Sequence, residues 1–526
     1  MTPSRLASFV LVATLLSGGV SWLRDAGYGG PHHDEVIAMM MAKDLGREYA
    51  EMLQANGAPL HQVVDATRWH AYTRGFVPVS FGEIRDELVA SDRHPPLAFW
   101  VMNRWLSLFP VGRYGHAVGL TWLETVVASG ILALGVFRAT GELTLAAIAF
   151  AAFLMGNSAV FTGIWARQYA LGLVWFAVVA VASADLVRRN LSTLRFLLLA
   201  VIIALASLLG MTTMYAFATL SVSIHLALFA LLVRRRQWRR AAALSAAYLV
   251  AAAVFFLMLP DALSHAVSVS DSDAPHWEVG NALGGMARML VPIPSALPGW
   301  TTMVIGAVML ALPLTLTMPL MRPFGPSVRQ VERADVRVPL AGMLGAGCLQ
   351  FGLVLTGYFP GWATGPNHMV AFWALTVLAV CTLLARLSAA WTRAVVAVAL
   401  AGMATVQCLY VWQLHRILPR LNTSYIASTN PDLVCVDNLA RGFLLQVTEL
   451  VPAGNRVLAT GSDRLAERFT KGLLTNFQRI LYLPMDATVR NGKDWVIFAA
   501  VSSGWTVSAL PVVHAGLYEA ILLESP

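Results

Sequence analysis

Residues 196–233 read FLLLAVIIALASLLGMTTMYAFATLSVSIHLALFALLV. This run of about 38 residues holds no acid, lysine or arginine, and one membrane-crossing helix needs only about 20. It is too long for one helix and right for two, turning tightly near 211–215. Working outward by the same rule gives eleven spans, at 5–23, 115–137, 143–163, 169–187, 196–211, 214–233, 241–259, 300–321, 338–357, 368–386 and 394–413. The composition agrees: 57% of the 526 residues are hydrophobic, only 13% are charged, and mean hydropathy is +0.64. Soluble domains carry about 25% charged residues. The chain is predicted to be a polytopic α-helical membrane protein with about eleven transmembrane helices.

The formal charge of +8 would suit nucleic acid, but its distribution excludes that partner. The arginines cluster in alternate short loops: Arg138; Arg188, Arg189 and Arg195; Arg234 to Arg240; Arg322 to Arg337; Arg386 and Arg393. This is the bias of loops that stay in the cytoplasm. With Arg5 it places the N-terminus inside and, after an odd number of spans, the C-terminus outside the inner (plasma) membrane. The first span also reads as a cleavable leader ending near Ser17-Gly18-Gly19, which would leave the side of the next loop unchanged. Cys348, Cys381, Cys408 and Cys435 form no CxxC and support neither a disulfide framework nor a zinc site.

Residues 1–413 are therefore read as a transmembrane domain with two external loops, 24–114 and 260–299. Residues 414–526 are read as a small extracytoplasmic α/β domain, with short strands at 456–460, 480–483 and 494–500 and a helix at 462–474. Within the first loop, 35–53 has an amphipathic look. The apolar stretch 95–109 reaches only about 22 Å as a helix, short of a 30 Å core, and reads as an interfacial helix.

The polar residues of that loop carry the chemistry. Asp34-Glu35 follows the first span, and Asp92-Arg93-His94-Pro95-Pro96-Leu97 closes the loop. Carboxylates beside a bilayer are costly unless they have a task or a partner. Moving a sugar from a phosphate-linked lipid to a hydroxyl needs a base for the hydroxyl proton and cationic groups for the leaving phosphate. Asp34 or Glu35 suits the first role; Arg93, His94 and Arg167 suit the second. Arg167 stands on the external side, against the arginine bias.

Together these residues resemble glycosyltransferase family 39, which includes protein O-mannosyltransferases and the lipid A aminoarabinose transferase. The resemblance rests on Asp34-Glu35, on Asp92-x-His94-Pro95-Pro96-Leu97 and on Ala166-Arg167-Gln168-Tyr169-Ala170-Leu171, in that order. It implies the GT-C fold, a polyprenyl-phosphate sugar donor, attack on the external face and inversion at the sugar; the scarcity of soluble surface outside the C-terminal domain favours a lipid or envelope-glycan acceptor. The resemblance assigns the base to Asp34, with Glu35 beside it as a second catalytic candidate; Asp92, Arg93, His94, Arg167 and Tyr169 are the donor-binding candidates. The sequence departs from the family at Thr213-Met214-Tyr215, where Thr-His-Tyr is common, and at Pro366-Asn367-His368-Met369, where Arg-Tyr is common. His368 takes the place of a late phosphate-binding arginine.

Plainer readings stand beside these. Asp34 and Glu35 suit a helix N-terminus, where acids are favoured. His32-His33-Asp34 is a candidate for a divalent metal ion, but adjacent histidines do not easily share one helix face, so a plain loop is preferred. Arg167 also suits a side chain reaching up to external headgroups. A protein acceptor and a solute or lipid transporter are the competing functions. The second predicts pseudo-symmetric halves and mid-membrane charges; the sequence shows no internal repeat and few central charges, chiefly Glu124 in the outer half of its span.

Overall fold

The structure is a computed structural model. It describes residues 31–91, 94–154, 165–187, 191–262, 423–437, 441–484, 492–514 and 517–525, with isolated positions at 159, 162, 163, 374, 377 and 381. The predicted spans at 5–23 and from 300 to 413, and nearly all of the loop 260–299, lie outside the described residues. Two compact units result. Of the described residues, one holds 94–98 and those from 121 to 381; the other holds 31–91, 99–120 and those from 423 to 525.

The second unit starts with helices α1 (His33–Ala42) and α2 (Gly46–Gln54), strand β1 (Val63–Asp65) and the short α3 (Thr67–His70). Helices α4 (Phe81–Ser91) and α5 (Leu97–Leu106) follow. The predicted amphipathic stretch 35–53 is thus two helices. Its first segment is buried nearly throughout, from Val36 to Ala42, and the second keeps only Gly46, Tyr49 and Met52 inside. α5 has ten residues, about 15 Å, which agrees with a segment too short to cross a membrane.

The tail supplies α12 (Thr423–Thr429), β2 (Leu433–Val436), α13 (Arg441–Leu450), β3 (Arg456–Ala459) and α14 (Ser462–Thr470). After these come β4 (Arg479–Leu483), α15 (Gly492–Ser502), β5 (Thr506–His514) and β6 (Leu517–Glu524). One mixed sheet runs β1-β3-β2-β4-β6-β5. β2 pairs parallel with both β3 and β4, while β1, β5 and β6 join antiparallel. All four residues of β2 are buried, which is why Leu433-Val434-Cys435-Val436 is continuously apolar. One face of the sheet forms a core with Leu465 and Phe469 of α14 and with Val496 and Ala500 of α15.

Residues 494–500, expected as a strand, lie in helix α15. The buried positions are Val496, Ala499 and Ala500, a helical spacing, whereas Trp495, Phe498 and Val501 are exposed.

β1 comes from the first loop, yet it is hydrogen-bonded to β3 with Val63 opposite Leu458 and Asp65 opposite Arg456. Loop 24–114 and tail 414–526, far apart along the chain, thus contribute strands to one sheet. A sheet cannot form across a bilayer, so these two strand-bearing segments lie on one side of any membrane the chain spans. Neighbouring bonds reinforce the joint. His61 N–H donates to Ala459 O at 2.8 Å, and Ala66 N–H to Asn455 O at 2.9 Å.

His70 belongs to this joint. Its Nε2 lies 3.1 Å from Thr448 O and 3.0 Å from Val451 O, so it is the protonated nitrogen and donates to both. Burial, aided by Arg74, lowers the His70 pKa from 6.5 to about 4. Between those values the unfolded chain binds more protons than the folded one. Stability from this group is therefore complete above pH 6.5 and is lost as pH falls towards 4. Amide exchange of residues 63–74 should accelerate over that window. In His70→Gln, which keeps an N–H donor, the acceleration should flatten; an unchanged profile would assign the effect to another group.

The first unit is a helical bundle. It contains α6 (Tyr114–Thr140) from Thr121 onward, then α7 (Leu143–Leu154), α8 (Tyr169–Leu186), α9 (Thr193–Thr213), α10 (Phe217–Arg234) and α11 (Trp238–Met258). Among the described residues, α6, α8, α9, α10 and α11 are long and apolar enough to cross a membrane. The sequence hairpin turns at Met214, Tyr215 and Ala216 as predicted. Gly210 makes it tight, because a Cβ there would lie 2.5 Å from the Phe217 ring.

Three arginines converge at one end of this bundle. Arg138 pairs with the buried Asp185 at 2.7 Å, Arg235 donates to Val187 O and Arg240 to Leu191 O, each at 2.6 Å. The arginine-bearing ends of α6, α10 and α11 thus meet the α8–α9 connection. Gly172, near the start of α8, lies against Met214 at the opposite end, beside the turn that holds Arg167.

Candidate functional site

The acidic pair sits at the start of α1. His32 is the N-cap, with extended backbone (φ −77°, ψ 154°), and His33, Asp34 and Glu35 are the first three helical residues. His32 N–H donates to Glu35 Oε2 at 2.6 Å, while Asp34 N–H donates back to His32 Nδ1 at 3.3 Å. This reciprocal arrangement is a capping box in which histidine replaces the usual serine or threonine. It satisfies backbone donors that a helix start leaves over, and the helix dipole favours both acids there.

The box separates two neighbouring acids. Glu35 is 2% exposed, and its Oε1 accepts from Tyr114 Oη at 3.2 Å. The Asp34 side chain is 34% exposed. Its Oδ2 lies 3.8 Å from His32 Nδ1 and its Oδ1 lies 3.5 Å from His33 Nε2. Asp34 therefore meets solvent on an ordered helix turn, whereas Glu35 ties that turn to its unit. α1 in turn packs against α13. The sequence reading missed Tyr114 and the capping role of His32. The spacing His32-x-x-Glu35 was the available signal for the second.

The other described site residues belong to the helical bundle. Arg167 and Gln168 form the turn that enters α8, and Tyr169 is its first residue. Arg167 is 9% exposed, and its guanidinium lies 3.4 Å from His94 Nε2. Arginine only donates, so His94 Nε2 accepts and the imidazole proton sits on Nδ1. The structure thus brings together two residues 73 positions apart that the sequence offered for the same task. Tyr169 is 6% exposed, with its ring 5.9 Å from that of Trp165. Asp92, Arg93 and His368 lie outside the described residues.

No family model matches this chain. No curated protein matches its sequence either. Among solved structures it is similar to ArnT from Cupriavidus metallidurans in the apo state, at 13% identity over 98% of each chain with a TM-score of 0.38. It is also similar to the same protein bound to undecaprenyl phosphate, at 13% identity over 98% of this chain and 97% of that one, with a TM-score of 0.37. A likeness at that level carries no weight for fold or activity.

Proposed function

We propose that the protein is an integral-membrane glycosyltransferase of the GT-C kind. It moves a sugar from a polyprenyl-phosphate donor to a lipid or envelope-glycan acceptor on the extracytoplasmic face, with inversion. The observation that carries this reading is the different setting of two adjacent acids: Glu35 is locked inside by His32 and Tyr114, and Asp34 is presented to solvent. Asp34 is the general base and Glu35 is its positioning residue.

The donor set is Arg167 with His94 and Tyr169, joined by Asp92, Arg93 and His368. Arg167 precedes the N-terminus of α8, whose N-cap Gln168 makes no side-chain capping bond. Guanidinium charge and the positive helix end then favour the same anion. The His94 contact orients the guanidinium, and a guanidinium's forked donors match a phosphate. The arginine-rich end of the bundle faces the cytoplasm on this reading, which puts the Arg167 turn outside.

Purified protein supplied with radiolabelled polyprenyl-phosphate sugars tests the reaction. Absence of label transfer with every sugar and envelope extract tried would overturn it. Titration of a donor analogue tests the phosphate role. Arg167→Ala should weaken binding by at least about tenfold, and Arg167→Lys by less, because lysine keeps the charge and loses the fork. Unchanged affinity in Arg167→Ala would place the phosphate elsewhere, with Arg93 and Arg288, the arginine of the second external loop 260–299, the next candidates.

A further inference from the structure

We propose that His32, His33 and one carboxylate oxygen of Asp34 bind a divalent transition-metal ion at the start of α1, the other oxygen keeping the proton-accepting role. In a continuous helix, successive side chains diverge by about 100°, which keeps adjacent histidines apart. Here the break in backbone conformation falls between them. His32 is extended and His33 is helical, and the two imidazoles come to 3.9 Å between centroids, tilted by 40°.

One donor atom from each of the three residues lies within 4.8 Å of the others. Bonds of about 2.0–2.1 Å to a tetrahedral zinc ion set its ligands about 3.4 Å apart. The separations of 3.5 Å from His33 to Asp34 and 3.8 Å from His32 to Asp34 already approach that value. All three side chains are 29–34% exposed, so an ion reaches them from solvent.

Two imidazoles and one carboxylate select zinc, cobalt or a similar ion over magnesium and calcium, which take oxygen ligands. The bond from Asp34 N–H to His32 Nδ1, at 3.3 Å, is longer than the usual range, so an ion displaces it at small cost. Glu35 holds the His32 backbone at 2.6 Å, the kind of outer support that fixes ligand orientation. Three protein ligands leave a position for an outside oxygen, from water or from a phosphate.

The test uses full-length protein in detergent, stripped with a chelator and titrated with cobalt(II). One equivalent should bind and give visible ligand-field bands, with zinc(II) displacing it and millimolar magnesium failing to. His33→Ala and His32→Ser should each weaken cobalt binding by at least about tenfold. Serine keeps the N-cap and removes the imidazole, so lost binding there is not a lost helix. Amide exchange of α1 confirms that each variant is folded. No bands in the wild type, or identical bands in both folded variants, would overturn the site. No sugar donor is present, so metal binding fails or succeeds separately from the proposed transfer.

Discussion

Asp34→Asn should lower the rate of sugar transfer by at least about 10²-fold, the low end of what a positioned general base contributes. The substitution keeps size and shape and removes the ability to take a proton. Asp34 is the second helical residue, so the variant also loses a favourable charge at the helix start, worth about 0.3–1 kcal/mol. That cost is too small to unfold the unit, and the loss belongs to kcat with the donor KM little changed. Glu35→Gln gives the contrast. Its carboxylate accepts from His32 N–H and Tyr114 Oη, and it has no exposed face for an acceptor hydroxyl. Weakening that cap costs about 1 kcal/mol of local stability and reduces turnover far less. Turnover within a few-fold of wild type in folded Asp34→Asn would remove the base assignment, and a larger loss in Glu35→Gln would transfer the role to Glu35.

The hairpin around residues 211–215 was legible because a charge-free run of that length admits few other folds. The arginine ends were legible too, since charge bias survives as a pattern of composition, and in the structure Arg138, Arg235 and Arg240 meet one connection. β1 was not legible. Three residues carry no readable alternation, and their partner β3 lies almost 400 positions later. α15 was misread because Trp495, Phe498 and Val501 are apolar on the exposed side while Val496, Ala499 and Ala500 are apolar on the buried side. A helix apolar all round hides its period. The two acids of the site were legible as a pair and not as individuals. Which of them is buried depends on Glu35 reaching back to His32 and across to Tyr114, and only the first contact leaves a sequence spacing.

Arg74→Ala should strongly destabilise the sheet-bearing unit. Arg74 lies in the first loop and Glu449 at the end of α13, so this pair joins the same two segments as β1 and β3. Arg74 Nε donates to both Glu449 oxygens, at 2.9 and 3.1 Å, and its terminal nitrogen donates to Glu449 O at 2.6 Å. Thr73 Oγ1 adds a bond to Oε2 at 2.5 Å. The Glu449 side chain is 5% exposed. Removing one partner of such a pair strands a buried charge, which costs about 3–5 kcal/mol. Opening of α13, read by amide exchange, should then become about 10²–10⁴-fold more frequent. The effect has a pH sign. Burial already raises the Glu449 pKa above 4.5, and Arg74 opposes that rise. Without Arg74 the folded pKa climbs further above the unfolded value. A group raised in this way favours the fold below its unfolded pKa and loses that advantage as pH rises through the folded one. Arg74→Ala should therefore be closest to wild type near pH 5 and worst at pH 8. Glu449→Gln should cost less, because the amide keeps the Thr73 contact and the more exposed Arg74 turns towards water. Equal protection of α13 in wild type and Arg74→Ala at pH 8 would show that the strand pairing alone holds the loop to the tail.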